Sequence, residues 1–252
     1  MPTAIAAALA LVLAGDLEPP CALPFQSIAM RRPIDKKCGR AGNAHGALAV
    51  QDTAKNNFCA TGDPVTLQFP DYTALQAAAE KALGTPDYEP PADRKPLQSL
   101  YTIGGKTIGE GSVVRVVGFV DRARYSDVET GESVNCNLSG DVHNDVHIPL
   151  TARAGEDECT SVTAEMSPHF RPDAWTPSNL NRLNRPVRVT GQLFFDASHK
   201  PCTKDKPENP KRRSVWEIHP VYAVEVCRSR SACAADRDEQ WQPLDQYLAR
   251  QK

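Results

Sequence analysis

No apolar run in this chain of 252 residues is long enough to cross a membrane. The longest, MPTAIAAALALVLAG at residues 1–15, falls short of the roughly 20 residues that a spanning helix needs. None of the eight cysteines forms a C-x-x-C pair, which removes support for a zinc ribbon or a thioredoxin-type site. Also missing are a G-x-S-x-G elbow, a Walker loop, a G-x-G-x-x-G turn and an H-E-x-x-H helix, so none of the common catalytic signatures is present. A net charge of −2 argues against a bulk electrostatic binder of DNA. Aromatic residues are only 6% of the chain, which leaves few platforms on which bases could stack.

The cysteines and the apolar run agree with each other. The run suits the h-region of a secretory signal, with Ala14 and Gly15 at a cleavage site, although no Lys or Arg precedes Arg31. A buried N-terminal helix is the other reading. Dispersed cysteines behind such a segment read as disulfides in an oxidising compartment, which points to a periplasmic or secreted protein. Free buried thiols are the alternative. Proximity along the chain predicts Cys38–Cys59, Cys136–Cys159 and Cys202–Cys227.

Four regions follow: a signal-like segment at 1–15, a Cys-rich N-terminal region at 16–96, a β domain at 97–227 and a tail at 228–252. Residues 16–70 are rich in Gly, Asn, Asp and Pro and read as loops. Asp71–Leu83 is the clearest helix, with Asp71 as cap, Leu75, Ala78, Ala79 and Ala82 as its apolar stripe and Gly84 as its stop. The Pro-rich stretch 85–96 reads as a stiff linker. Five β-branched segments come next, at 112–121, 145–150, 161–166, 186–195 and 215–226. Between the third and fourth, WTPSNLNRLN signals a short helix, capped by Thr176 or Ser178 and facing Leu180 and Leu183 inward. The order β-β-β-α-β-β predicts a mainly β fold, a five-stranded OB-like Greek-key barrel with a partly helical N-terminal extension. Gly118 and Gly191 sit inside strands, where a small barrel bends tightly.

The segments CGRAGN, AKNNFCA, NDVHIPL, SVTAEMSPHFRP, VRVTGQLFFDASH and SVWEIHPVYAVEVC resemble those of a group of uncharacterised exported bacterial proteins with an OB-like domain and a WEIHPV strand motif. The resemblance covers most of the chain. It implies export and an OB-like domain, and it implies no activity.

Strand alternation selects the candidate site, because side chains of one parity share one face. Asp145 and His147 on the second strand, Glu165 on the third, and Glu217 and His219 on the fifth all take the outer face. These strands are neighbours in an OB-fold, and adjacent strands lie about 4.8 Å apart. The five residues are therefore predicted to form one acidic and imidazole patch, with His143, His169 and His199 near its ends.

The patch supports several chemistries. His147, His219 and Asp145 could ligate a divalent metal, the one cofactor the sequence suggests. Glu165, Glu217 and His219 could act as acid and base in a hydrolase of phosphodiesterase or nuclease type. Asp145 and His147 could instead hold a ligand. Outward positions are polar in any case, and Glu–His pairs across strands are ordinary contacts. A second feature is the cluster Lys200, Lys204, Lys206, Lys211, Arg212 and Arg213, on the loop that binds oligomers in many OB-folds. Lys204, Lys211, Arg212 and Arg213 are its candidate phosphate contacts, a weak case for nucleic acid, with Tyr125, Phe170, Trp175 and an outward Phe194 as stacking candidates. A solvated hairpin tip is the plainer reading of that loop. The sequence thus favours a disulfide-stabilised binding protein for an unknown ligand, such as a nucleic acid or a saccharide. A metal-dependent hydrolase and a structural envelope module are the alternatives.

Overall fold

The five β-branched segments close into a barrel in the computed structural model of the protein, which describes residues 32–58, 60–84, 89–203 and 206–251. The signal-like segment 1–15 lies outside the described residues. In chain order the elements are helix α1 (Gly46–Lys55), strand β1 (Val65–Leu67), helix α2 (Phe69–Leu83), the hairpin β2 (Tyr101–Ile103) and β3 (Lys106–Ile108), β4 (Val113–Val120) and β5 (Arg124–Tyr125). There follow β6 (Val146–Thr151), β7 (Val162–Met166), helix α3 (Pro177–Leu180), β8 (Val187–Phe195), β9 (Trp216–Cys227), β10 (Trp241–Pro243) and helix α4 (Leu244–Ala249). No helix among the described residues is long and apolar enough to cross a membrane.

The ring runs β4–β6–β7–β9–β8 and back to β4. All its pairings are antiparallel except β7 with β9. Each of the five predicted strands is present to within about two residues, because β-branched alternation favours it. One face of every barrel strand fills the interior with Val114, Val116, Ile148, Leu150, Ala164, Val189, Leu193, Trp216 and Ile218.

Helix α2 adds Tyr72, Leu75 and Ala79 to that core. It begins two residues before the predicted start, and Asp71 sits in its first turn, where the carboxylate accepts from the Gln68 amide at 2.6 Å. Its buried stripe is therefore Tyr72, Leu75, Gln76 and Ala79, and Ala82 faces solvent. Gly84 ends the helix with φ 68, a left-handed conformation that costs glycine little. At α3, Thr176 is the cap, accepting from the Asn179 amide at 3.3 Å, and Leu180 and Leu183 are buried as predicted.

Gly191 marks the bend expected of it. The register of β8 on β9 shifts on either side of it, and a Cβ there would lie 2.4 Å from the Pro220 carbonyl oxygen and 2.5 Å from Ile218 Cγ2. Backbone cannot yield to that overlap cheaply. Gly191→Ala should cost about 1–3 kcal/mol in thermal melting, the range for overpacking a core. A loss below about half a kcal/mol would mean that the two strands are free to separate there.

The disulfides differ from the pairs predicted by proximity. They join Cys38 to Cys136, Cys159 to Cys202 and Cys227 to Cys233. Cys21 and Cys59 lie outside the described residues. Two of the bonds cross long separations, 98 and 43 residues, because long connections fold back on distant elements, whereas Cys227 pairs with Cys233 only 6 residues on. Residues 33–38 meet the insertion that follows β5, and the loop after β8 meets the one before β7.

The larger correction concerns the outer face of β6, β7 and β9, which is not exposed. Helix α1, in a stretch that reads as irregular in the sequence, lies over it together with the insertion at 132–145 and residues 196–203 and 206–213 of the following loop. Gln51 pins the helix, donating to Ser198 Oγ at 2.6 Å and accepting from the Ala197 amide at 3.1 Å. Arg94, at the end of the Pro-rich stretch, is buried and donates to both Glu110 carboxylate oxygens and to the Phe195 carbonyl at 2.6 Å. Phe194, expected to face out, lies buried under that guanidinium, 5.2 Å from Arg94 Cζ.

Candidate functional site

The buried outer face holds the residues singled out by parity. Register brings His147 opposite Glu165, and Thr163 opposite Glu217 on the parallel neighbour. Asp145, His147, Glu165, Glu217 and His219 are all nearly inaccessible to solvent. His219 lies between two elements. Its Nδ1 is 2.9 Å from the Lys55 carbonyl, which can only accept, so Nδ1 carries hydrogen. Its Nε2 is 3.1 Å from Asp145 Oδ2, and Asp145 Oδ1 accepts from Asn135 at 3.3 Å.

The centre of the group is a lysine that the strand pattern could not supply. Lys55, in the last turn of α1, places Nζ 2.7 Å from Glu165 Oε2, 3.8 Å from Glu217 Oε1, and 3.9 Å from both Asp145 Oδ2 and Glu132 Oε1. A buried charge persists only when paired. Burial works against the Lys55 ammonium, but Glu165, Glu132, Glu217 and Asp145 outweigh it and hold the pKa well above the usual lysine range. The carboxylates divide into two classes. Burial pushes Glu165 up, but Lys55, His147 and His219 pull it down to a net depression, so it is ionised. Burial raises Glu132 well above the usual carboxylate range against the pull of Lys55, and burial with the adjacent Glu165 does the same to Glu217.

Arg212 forms the second positive centre. It is fully buried, and its NH1 lies 3.2 Å from Asp196 Oδ2 and 3.2 Å from Glu217 Oε2. Asp196 also meets His199 Nδ1 at 2.6 Å. Burial opposes ionisation of Asp196, but His199, Arg212 and Lys55 leave its pKa below the usual range.

Beside these charges is a polar cavity of about 340 Å³, lined by Arg124, Tyr125, Ser126, Asp127, Glu132, His147, Glu165, His199, Asn209, Pro210 and Arg212. Two of its walls are unsatisfied. Neither ring nitrogen of His147 has a hydrogen-bond partner, and nor do Nε and NH2 of Arg212, although both side chains are buried. Burial, reinforced by Arg212, Arg124 and Lys55 against the pull of Glu165, lowers the His147 pKa to about 3. The ring is therefore neutral at pH 7, with one donor and one acceptor.

The remaining sequence candidates disperse. His143 turns to the Ser139 carbonyl at 2.8 Å, and His169 Nδ1 meets Asp35 at 2.7 Å, away from the cavity. His199 does reach the wall. Lys204 lies outside the described residues. Lys211 is exposed, 4.0 Å from Asp157. Arg213 donates to the Thr160 carbonyl at 3.0 Å and packs over Phe69. Lys206 pairs with Glu208 at 3.0 Å. The described part of the loop thus presents no continuous basic face. Of the stacking candidates, Tyr125 lines the cavity, while Trp175 donates to Asp245 at 3.1 Å and Phe170 packs on Phe58 at 5.1 Å.

The metal expectation meets a specific obstacle. Asp145, Glu165 and His219 each offer a ligand atom within 4.8 Å of the others, but His147 is not in that group. The Lys55 ammonium already lies against two of the three, and its charge serves the carboxylates that a dication would need. Sequence reasoning missed Lys55, Glu132, Asp196 and Arg124. A signal existed for Lys55 alone, since GALAVQDTAK is a fair helix with lysine in its last turn.

In comparisons with protein-family models, with curated proteins and with solved structures, the chain matches none of them.

Proposed function

We propose that the protein is an exported, disulfide-stabilised binding protein on an OB-type barrel, and that its ligand seat is the polar cavity over β6 and β7. Several features support the parts of this reading. The closed ring of five strands, with its single parallel pairing between the third and fifth barrel strands and a helical turn between the third and fourth, supports the OB-type reading. Three disulfides favour an oxidising compartment, periplasmic or extracellular. The strand WEIHPV carries Glu217 and His219 into the charged layer beside the cavity.

One observation carries the binding reading: His147 is buried with both ring nitrogens unpartnered at the wall of the cavity. An orphaned buried polar group costs about 1–3 kcal/mol, and a ligand that pairs with it removes the cost. A volume of about 340 Å³ suits one small polar molecule or a single unit of an oligomer. The hydrolase alternative lacks such support. Glu165 is held by Lys55, and Glu217 shares Arg212 with Asp196, so neither is a free base.

The test is a thermal-shift screen of a small-molecule panel on the wild type and on His147→Phe, which keeps an aromatic ring of similar size and removes both unpartnered ring nitrogens. A ligand at about 100 times its Kd adds about 2.7 kcal/mol. For a chain of this size that is a rise of roughly 5 °C or more. The rise should occur in the wild type and vanish in the variant. An equal rise in both, or none in either across sugars, amino acids, carboxylates and phosphates, would remove the cavity as the seat.

A further inference from the structure

We propose that the cavity takes an oxyanion, a phosphate or carboxylate carried by a small hydroxylated molecule, and that Arg212 seats it. The inference rests on the cavity being the ligand seat and adds the chemistry of what fills it.

Unpartnered donors outnumber acceptors at the cavity wall. A guanidinium carries five N–H groups. Arg212 uses NH1 on Asp196 and Glu217. Nε and NH2, with three N–H groups between them, have no partner, and the side chain is fully buried at the cavity wall. Nε with one NH2 hydrogen forms the fork that matches two oxygens of a carboxylate or phosphate. The neutral His147 ring adds another unpartnered donor on the same wall. Arg124 pairs in register with His147 and lines the cavity too. Its NH1 holds Glu158 at 2.9 Å, so it adds positive potential at the rim.

The acidic groups in the lining shape the rest of the ligand. Glu165 is taken up by Lys55. Asp127 and Glu132, which follow β5 in the chain, and Asn209, from the loop that carries Arg212, also line the cavity. They suit hydroxyl groups and disfavour a second anionic centre. The ligand thus combines an oxyanion with hydroxyl groups, as in a sugar phosphate or a sugar acid. A cationic ligand would leave the Arg212 fork unpaired.

The experiment titrates the full chain at pH 7 and low salt with four probes: inorganic phosphate, glucose 6-phosphate, gluconate and glucose. Calorimetry reads affinity, and the Arg212 Nε–H resonance in ¹⁵N-labelled protein reports the place. The charged sugars should bind and shift that resonance, with glucose at least about tenfold weaker, the loss expected when a charge-assisted pair is absent. Binding of the phosphates alone assigns a phosphate, binding of gluconate alone a carboxylate, and either sustains the proposal. Arg212→Gln should weaken binding about tenfold or more. If that variant fails to fold, Arg124→Gln should weaken binding of the charged probes and Ser126→Trp should block it, both judged on folded protein. Glucose binding as tightly as its charged relatives would overturn the oxyanion and leave the cavity as the seat. The oxyanion is overturned in the same way if none of the four binds while the thermal screen finds a cationic or neutral ligand that His147→Phe abolishes. Silence in both experiments, with a water on the Arg212 fork as its sole partner, would overturn the two readings together.

Discussion

Lys55→Met should cost about 3–5 kcal/mol of stability at pH 7, the range for removing one member of a buried ionic group. Methionine keeps the length of the stem and removes the one ammonium that lies within 4 Å of Glu165, Glu217, Asp145 and Glu132. The deficit should also depend on pH, and its sign follows from the separate groups. Glu165 has a depressed pKa, so in the wild type it contributes stability above the ordinary carboxylate pKa of about 4.3 and loses it only as pH falls through the lower folded value. Glu132 and Glu217 have raised values, so the folded state binds protons there more tightly than the unfolded chain does. They weaken the fold at neutral pH, and that penalty fades toward pH 4–5, roughly the unfolded value. Without Lys55, Glu165 loses the nearest cation and joins the second class. The variant's deficit should therefore be greatest at pH 7 and about 1 kcal/mol or more smaller at pH 5, since one unit of pKa is worth about 1.4 kcal/mol. Urea unfolding of both proteins at the two pH values measures this. A deficit below about 1 kcal/mol, or one that does not change with pH, would mean that the carboxylates find compensation without the lysine.

The second large effect is expected from the paired change Cys38→Ser and Cys136→Ser. The bond closes a loop spanning a sequence separation of 98 residues. Chain entropy alone gives about 4–5 kcal/mol for a loop of that length. Its position makes the loss regional as well as global. Cys38 follows the turn Pro33–Lys36, and Cys136 ends the turn Ser133–Asn135, next to Glu132 and to Asn135, which donates to Asp145. Asn56, just after α1, donates to the Val134 carbonyl at 3.3 Å in the same place. Hydrogen exchange should therefore rise first in residues 46–57 and 132–136, while β8 and β9 remain protected. If those two segments stay as protected as the barrel, or the loss is below about 1 kcal/mol, the disulfide is not what holds the cover down.

The barrel was legible because its signal is local. Parity within 112–121, 145–150, 161–166, 186–195 and 215–226 located the five strands to within about two residues. Parity and strand order together also brought Asp145, His147, Glu165, Glu217 and His219 to one face. What parity cannot report is what lies on top of a face. The polar side of a strand reads as solvent-facing by default, and here that default failed, because α1 and the insertion at 132–145 cover it. Neither has a strong periodic pattern: α1 buries Gln51, Asp52, Ala54 and Lys55, three of them polar, so no apolar stripe announced it. Arg212 was among the candidate cations of the loop, but its burial was not legible, for a related reason. In KRR of the 200–213 loop it is one cation among several, and only the fold turns Arg212 inward, Lys211 to solvent and Arg213 onto Phe69. The two long-range disulfides have no local signal, whereas Cys227–Cys233, only 6 residues apart, had one that the pairing of Cys227 with Cys202 overlooked.

The arrangement of α1 over β9 also orders events in time. The lysine at position 55 meets its last carboxylate, Glu217, more than 160 residues further along the chain. During synthesis the covering segment is made before the barrel strands and cannot complete its contacts until the last of them, β9, is formed. It must wait as an open, polar stretch while the strands behind it assemble, and long-range closure of this kind is slow. A chain halted before residue 216 would therefore leave its earliest part unfolded as well as its latest, so incomplete copies would expose both ends to proteolysis.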